Sequence, residues 1–159
     1  MNTDIKIILA EIAQDLRQYA QKDMEGKTGI NTKVMKNTLA GSDLQRDVEY
    51  SVSYSEPTLI STLFNYYMQW VNDGRKPSKG KRPPIDVIVK WMMKKRIKPR
   101  NGTIRSVAFL ISRAIWRDGY DGRPVIDHLL TYSEEQWDKV WSDKIFNAII
   151  KEINEFFDR

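Results

Sequence analysis

The sequence predicts an α+β fold: a small antiparallel sheet packed by helices, with a long C-terminal helix. Three observations predict it. Apolar residues recur at three- and four-residue spacing in several segments, the spacing drops to two between Leu44 and Tyr54, and Gly or Pro clusters mark the changes of period. Strands that follow one another without an intervening helix belong in an antiparallel sheet.

Ile5, Ile8, Leu9, Ile12, Ala13, Leu16, Tyr19 and Ala20 form one stripe of a helix from about Thr3 to Lys22. Gly26 and Gly29 end it, and Asn31 or Thr32 is placed to cap a short helical turn carrying Val34, Met35 and Leu39. From Leu44 to Tyr54, Leu44, Arg46, Val48, Tyr50, Val52 and Tyr54 alternate with polar residues, as in a half-buried strand. Ser55 to Thr58 reads as a turn. Leu59 to Val71 is rich in β-branched and aromatic residues with apolar groups on both parities, which favours a second strand over a helix.

Residues 72–84 hold two glycines, three prolines and five cations, a composition expected to form a long surface loop. Pro84 and Asp86 suit the start of a helix and Lys94 to Arg96 its end; Ile85, Ile88, Val89 and Met92 are its buried stripe. A further helix is capped at Thr103 and buries Val107, Ala108, Ile111, Ala114 and Ile115. Arg123 to Ile126 reads as a short extended link or strand. Ser133 and Gln136 form a capping-box pattern for a last helix from about Glu134 to Phe157, roughly 36 Å long. Because two strands alone are marginal, a third is expected near Arg123 to Leu129, or from a neighbouring copy. The expected organisation is a single domain over residues 1–132, with 133–159 as a helix packed on it or on a neighbouring subunit.

Composition narrows the function. Without cysteine there is no disulfide framework or thiolate chemistry, and one histidine cannot build a multi-histidine metal site. No apolar run spans a bilayer, and the charges scattered through Met1 to Leu16 interrupt any secretory signal, so a soluble protein with no membrane partner is expected. His128 beside Asp127 offers a base and an orienter on paper, but sequence neighbours rarely point at one another and no activated serine accompanies them; His128 reads as a surface or helix-end residue. No carboxylate cluster or phosphate loop has recognisable spacing, so neither catalysis nor a metal or cofactor is expected.

The net charge of +5 is unevenly distributed. Gly74 to Arg105 holds twelve basic residues and one acid, a net +11, and each flank is −3. Within it, the loop residues Gly74, Arg75, Lys76, Pro77, Lys79, Lys81 and Arg82 are candidates for an inter-subunit or DNA-facing contact. Lys90, Lys94, Lys95, Arg96, Lys98 and Arg100 extend that surface over the following helix and link. With Trp91 as its only aromatic residue, the segment suits backbone tracking better than base reading. Trp137 and Trp141, one turn apart, together with Ile145 and Phe156, are candidates for docking the C-terminal helix on another subunit.

The run Asn72-Asp73-Gly74-Arg75-Lys76-Pro77, then Pro83-Pro84-Ile85, Trp91, Ala108-Phe109-x-Ile111-x-Arg113-x-Ile115, Gly119 and Arg123-Pro124 resembles the tail-completion or neck family of tailed bacteriophages over about residues 64–126. With Tyr66, Tyr67 and the heavily basic loop, the spelling is most similar to the versions found in crAss-like phages. The resemblance implies a non-enzymatic virion protein, assembled in the host cytoplasm. It would form a homo-oligomeric ring between portal or other connector proteins and tail proteins, and extend the channel for packaged DNA. It also implies an interface role for Gly74, Arg75 and Pro77 and a scaffold role for Pro84, Trp91, Ala108, Phe109 and Ile111. The longer C-terminal helix and the more cationic loop depart from the family pattern. The other reading of the residues is a small DNA-binding accessory protein using residues 75–105.

Overall fold

A computed structural model describes residues 3–28 and 39–158. Its helices and antiparallel strands are the α+β architecture that the periodicities predict. The chain divides into two compact units: residues 73–123 form one, and the segments before and after them form the other. This division does not coincide with the expected one at 132/133. Helical structure runs without a break from Val125 to Phe157, so the backbone offers no hinge there.

The first unit is built on α1 (Thr3–Met24), which buries Leu9, Ile12, Ala13, Ala20 and Met24 along one side. A single helical turn, α2 (Asp43–Arg46), follows. It replaces the first half of the expected strand because the Ser42 hydroxyl caps it, accepting from the Gln45 N–H at 3.2 Å. Gln45 then exchanges amide hydrogen bonds with Gln21, and the Arg17 Nε donates to the Val48 carbonyl, fixing this turn on α1. Pairing begins only at β1 (Glu49–Ser53), which runs antiparallel to β2 (Leu59–Leu63) with Val52 opposite Ile60. The Ser55 to Thr58 turn joins them, as expected.

β2 stops well short of Val71, because the chain coils into α3 (Met68–Asp73) and buries Met68 in the core. The mixed-parity apolar run was therefore part strand and part helix. The third segment of this unit is α6 (Val125–Gln136), a π-helical turn (Trp137–Trp141) and α7 (Ser142–Phe157). Arg123 to Ile126 is thus not a strand: Val125 opens a helix and is fully buried with Met24, Met68 and Leu129. The Asn72 side chain ties this helix start to the end of α3. Its Oδ1 accepts from the Ile126 N–H at 2.9 Å and its Nδ2 donates to Asp127 at 3.2 Å. The expected turn at Asn31 to Met35 lies outside the described residues.

The second unit is a helical hairpin. α4 (Ile85–Lys94) and α5 (Ile104–Asp118) pack around Ile88, Met92 and Ala108, where the small alanine admits close approach. Thr103 and Ser106 form a reciprocal capping box at the start of α5. α4 ends on Arg96 at φ +53°, with the Ile97 N–H reaching back to the Met92 carbonyl, so an arginine occupies the left-handed position that glycine usually takes. The extra strands are β3 (Gly74–Arg75) and β4 (Tyr120–Asp121), paired antiparallel.

Candidate interaction surface

The loop that follows β3 is exposed but not loose. The Arg75 guanidinium turns inward and donates through one nitrogen to the Lys79 and Lys81 carbonyls, at 2.7 and 2.6 Å. α5 supplies the other side of the brace. The Ser78 N–H donates to the Trp116 carbonyl at 2.7 Å, the Trp116 indole donates to the Gly80 carbonyl at 2.9 Å, and the buried Ser112 hydroxyl donates to the Pro83 carbonyl at 2.7 Å. Carbonyls unable to satisfy themselves in a Pro-rich loop are thereby paired.

Two glycines make the arrangement possible. A Cβ on Gly119, at φ +67°, would stand 2.2 Å from the Arg75 carbonyl oxygen, and one on Gly74, at φ +70°, would stand 2.3 Å from the Gly122 nitrogen.

This bracing divides the predicted loop residues. Gly74 and Arg75 are internal supports, which corrects the expectation that Arg75 faces a ligand: its charge is engaged by carbonyls inside its own loop. Lys76, Pro77, Lys79 and Lys81 face outward, and Arg82, though exposed, lies over the Trp116 ring at 5.1 Å. Lys90, Lys94, Lys95, Arg96, Lys98 and Arg100 are all exposed on α4 and the link after it. The one acid of α4, Asp86, is paired with Arg105 at 3.0 Å. The structural division also sharpens the charge map. Residues 73–123 carry fifteen Lys and Arg against four Asp and Glu, a net +11, while the other unit carries eleven against seventeen, a net −6.

The predicted docking helix is split as well. Trp137 is 51% exposed and Phe156 74%, and Ile145 is half-buried, but Trp141 is only 5% exposed and meets Tyr132 edge-on at 6.2 Å. Trp141 is therefore a core residue, not a docking residue. The Ser142 N–H bonds to the Trp137 carbonyl five residues back, a π-helical turn, and both tryptophans border one apolar groove, Trp141 on its buried side and Trp137 at its exposed edge.

Two features escaped the sequence. His128 is neither at the surface nor beside a catalytic Asp127. It lies in α6 with Nδ1 2.9 Å from Asp23 Oδ2, and Asp23, 1% exposed, also accepts from the Thr28 hydroxyl. The second is an apolar groove of about 520 Å³ on the acidic unit, floored by Ile12 and Leu16 and flanked by Ile60 and Trp137. Residues distant in sequence line it, so no local pattern reveals it. Among the described residues there is no cluster of His, Asp and Glu placed to hold a metal ion, and no helix long and apolar enough to cross a membrane. Comparisons with protein-family profiles, curated proteins and solved structures return no match to this chain.

Proposed function

We propose that this protein is a structural, non-enzymatic component of a tailed-phage virion, a connector subunit that assembles as a ring at the junction of portal, neck and tail. The observation that supports the reading is the convergence of the residues carrying the phage resemblance. Gly74, Arg75, Pro77, Ala108, Ile111 and Gly119, spread over more than forty positions, meet in one hairpin unit whose packing displays a cationic loop. In this role the +11 unit faces packaged DNA or an acidic protein neighbour, and backbone-tracking lysines suit a channel through which any sequence must pass.

The test is imaging of phage particles labelled on this chain. The label is expected at the head-to-tail junction in several copies per particle; particles without it, or with the label elsewhere, refute the assignment. A second reading, a monomeric DNA-binding accessory protein, is favoured by the concentration of charge in residues 75–105 alone. Salt titration of duplex binding separates the two. A binder neutralising about five phosphates loses affinity with a log–log slope near −4.5, whereas a ring subunit examined alone is expected to bind short duplex weakly.

A further inference from the structure

The groove on the acidic unit has a rim as informative as its floor. Trp137 stands over it, and Glu134 and Asp138 border it. On the same helical segment and its α1 neighbour several acids are paired: Asp4 with Lys151, Glu11 with Lys144, Glu135 with Lys139. Among the described residues Glu134 and Asp138 have no ion-pair partner, and both border the apolar groove. The groove continues past Leu16 and Ile60 into a second hollow of about 340 Å³ beside Phe64, Leu129 and Leu130, so it has the extent of an elongated partner. The π-helical turn at its edge is the kind of local irregularity that concentrates at working surfaces.

The other unit carries the opposite pattern. α4 buries Ile88 and Met92 against α5 and turns outward a stripe in which Val87 is 61% exposed and Trp91 46%. Lys90 and Lys95 border that stripe without an ion-pair partner among the described residues. An exposed tryptophan between lysines is a poor solvent-facing arrangement and a good anchor. Apolar floor and acidic rim on one unit thus complement apolar stripe and basic rim on the other.

We propose that this groove is the seat of the α4 face of a second copy of the chain, with Trp91 entering beside Trp137 and Lys90 and Lys95 meeting Glu134 and Asp138. Each copy carries both halves of the contact, so the association is head-to-tail, the type that closes into a ring when the rotation permits. The inference rests on the ring reading above and names the two surfaces that meet.

The full-length chain tests it by sedimentation velocity over a range of concentrations. Three samples are compared with wild type: Glu134→Lys with Asp138→Lys, Lys90→Glu with Lys95→Glu, and an equimolar mixture of those two variants. Each double variant alone is expected to associate at least tenfold more weakly than wild type. The mixture is expected to recover, because the reversed groove of one variant then meets the reversed helix of the other. Circular dichroism of each variant separates lost contact from lost fold, and recovery in the mixture is an outcome that misfolded chains could not give.

Association unchanged by the reversals, or not restored by mixing, overturns the inference. Rings that assemble normally from the reversed chains would leave the ring reading intact while removing this interface. Wild-type chain present in single copies at the phage junction would remove the ring reading itself. Loss of binding only to a tail or portal protein, with self-association unchanged, would also overturn it, by assigning the groove to a different basic helix.

Discussion

His128 Nδ1 sits 2.9 Å from Asp23 Oδ2, joining two residues 105 positions apart, and the carboxylate is almost wholly buried. Asp23 has two partners, since Thr28 donates to its other oxygen. A buried carboxylate is tolerated only when its lone pairs are satisfied, so this pair specifies how the start of α6 meets the end of α1.

Removing one partner should expose that dependence. His128→Ala is expected to cost about 2–3 kcal/mol, because Asp23 is left buried and under-bonded. Asp23→Asn, which retains an acceptor, should cost less. Urea unfolding with an unchanged m-value checks both; a loss below about 0.5 kcal/mol for His128→Ala would show that the pair is incidental.

Alkaline pH should weaken the acidic unit through two phenols. Tyr132, stacked on Tyr19 at 3.8 Å, has its pKa held well above the ordinary value, by burial first and then by its hydrogen bond to Asp15; Tyr19 is raised by burial and then by Asp23. A raised folded-state pKa means that the neutral phenol is the stabilised form. The contribution is complete below the unfolded value of about 10 and is lost as pH climbs past it toward the folded value. Melting temperature followed from pH 8 to 11.5 should fall above about pH 10. Tyr132→Phe should begin about 1 kcal/mol less stable at pH 8 and fall less steeply.

The glycines of the basic unit should differ in kind from one outside it. Gly119→Ala and Gly74→Ala place a methyl group against backbone and are expected to cost about 3 kcal/mol or more, or to unpair β3 from β4. Gly41 has a similar φ of +68° but open space around it, so Gly41→Ala should cost only about 1 kcal/mol. Equal costs at all three positions would mean that conformation alone, not close approach, requires glycine.

Protease sensitivity reports on the loop brace. Trp116→Phe removes the donor to the Gly80 carbonyl and weakens the surface under Arg82, so trypsin should cut near Lys79 and Lys81 several-fold faster than in wild type. Arg75→Lys, which cannot reproduce a guanidinium reaching two carbonyls, should behave alike. Unchanged cleavage in both variants would count against a braced loop.

Replacing Arg96 with glycine should raise stability. The arginine adopts φ +53° to end α4, and glycine takes that conformation without the Cβ penalty. A gain of about 0.5–1 kcal/mol in thermal unfolding is expected; a loss would mean that the Arg96 side chain contributes more than its backbone costs.

The sequence carries the helices well where caps and periodicity agree. Pro84, Asp86 and Thr103 mark starts that the structure keeps within a residue. It carries the strands less well, because Leu44 and Val48 have an apolar spacing shared by a strand and a helical turn, and only the Ser42 cap decides between them. Trp141 departs from the docking expectation because its burial comes from the edge-on contact with Tyr132 and from its place beside Ile12 and Leu16 of α1, which the pattern of residue types along the helix does not reveal. Arg75 was misread for another reason. A cation in a basic loop looks like a contact until the carbonyls around it are located. The groove and the Asp23–His128 pair are long-range products of packing, and neither has a local signature.

Asn72 fastens the point where the chain leaves the acidic unit to the point where it returns, while β3 and β4 pair Gly74 with Asp121 and Arg75 with Tyr120, close to the two ends of the basic unit. Residues 73–123 are thus a cassette with adjacent ends, inserted between two points of the chain that Asn72 holds together. A short linker in their place would preserve the Asn72 fastening, and a differently charged hairpin could be transplanted there. Surface charge could then be changed without redesign of the remainder.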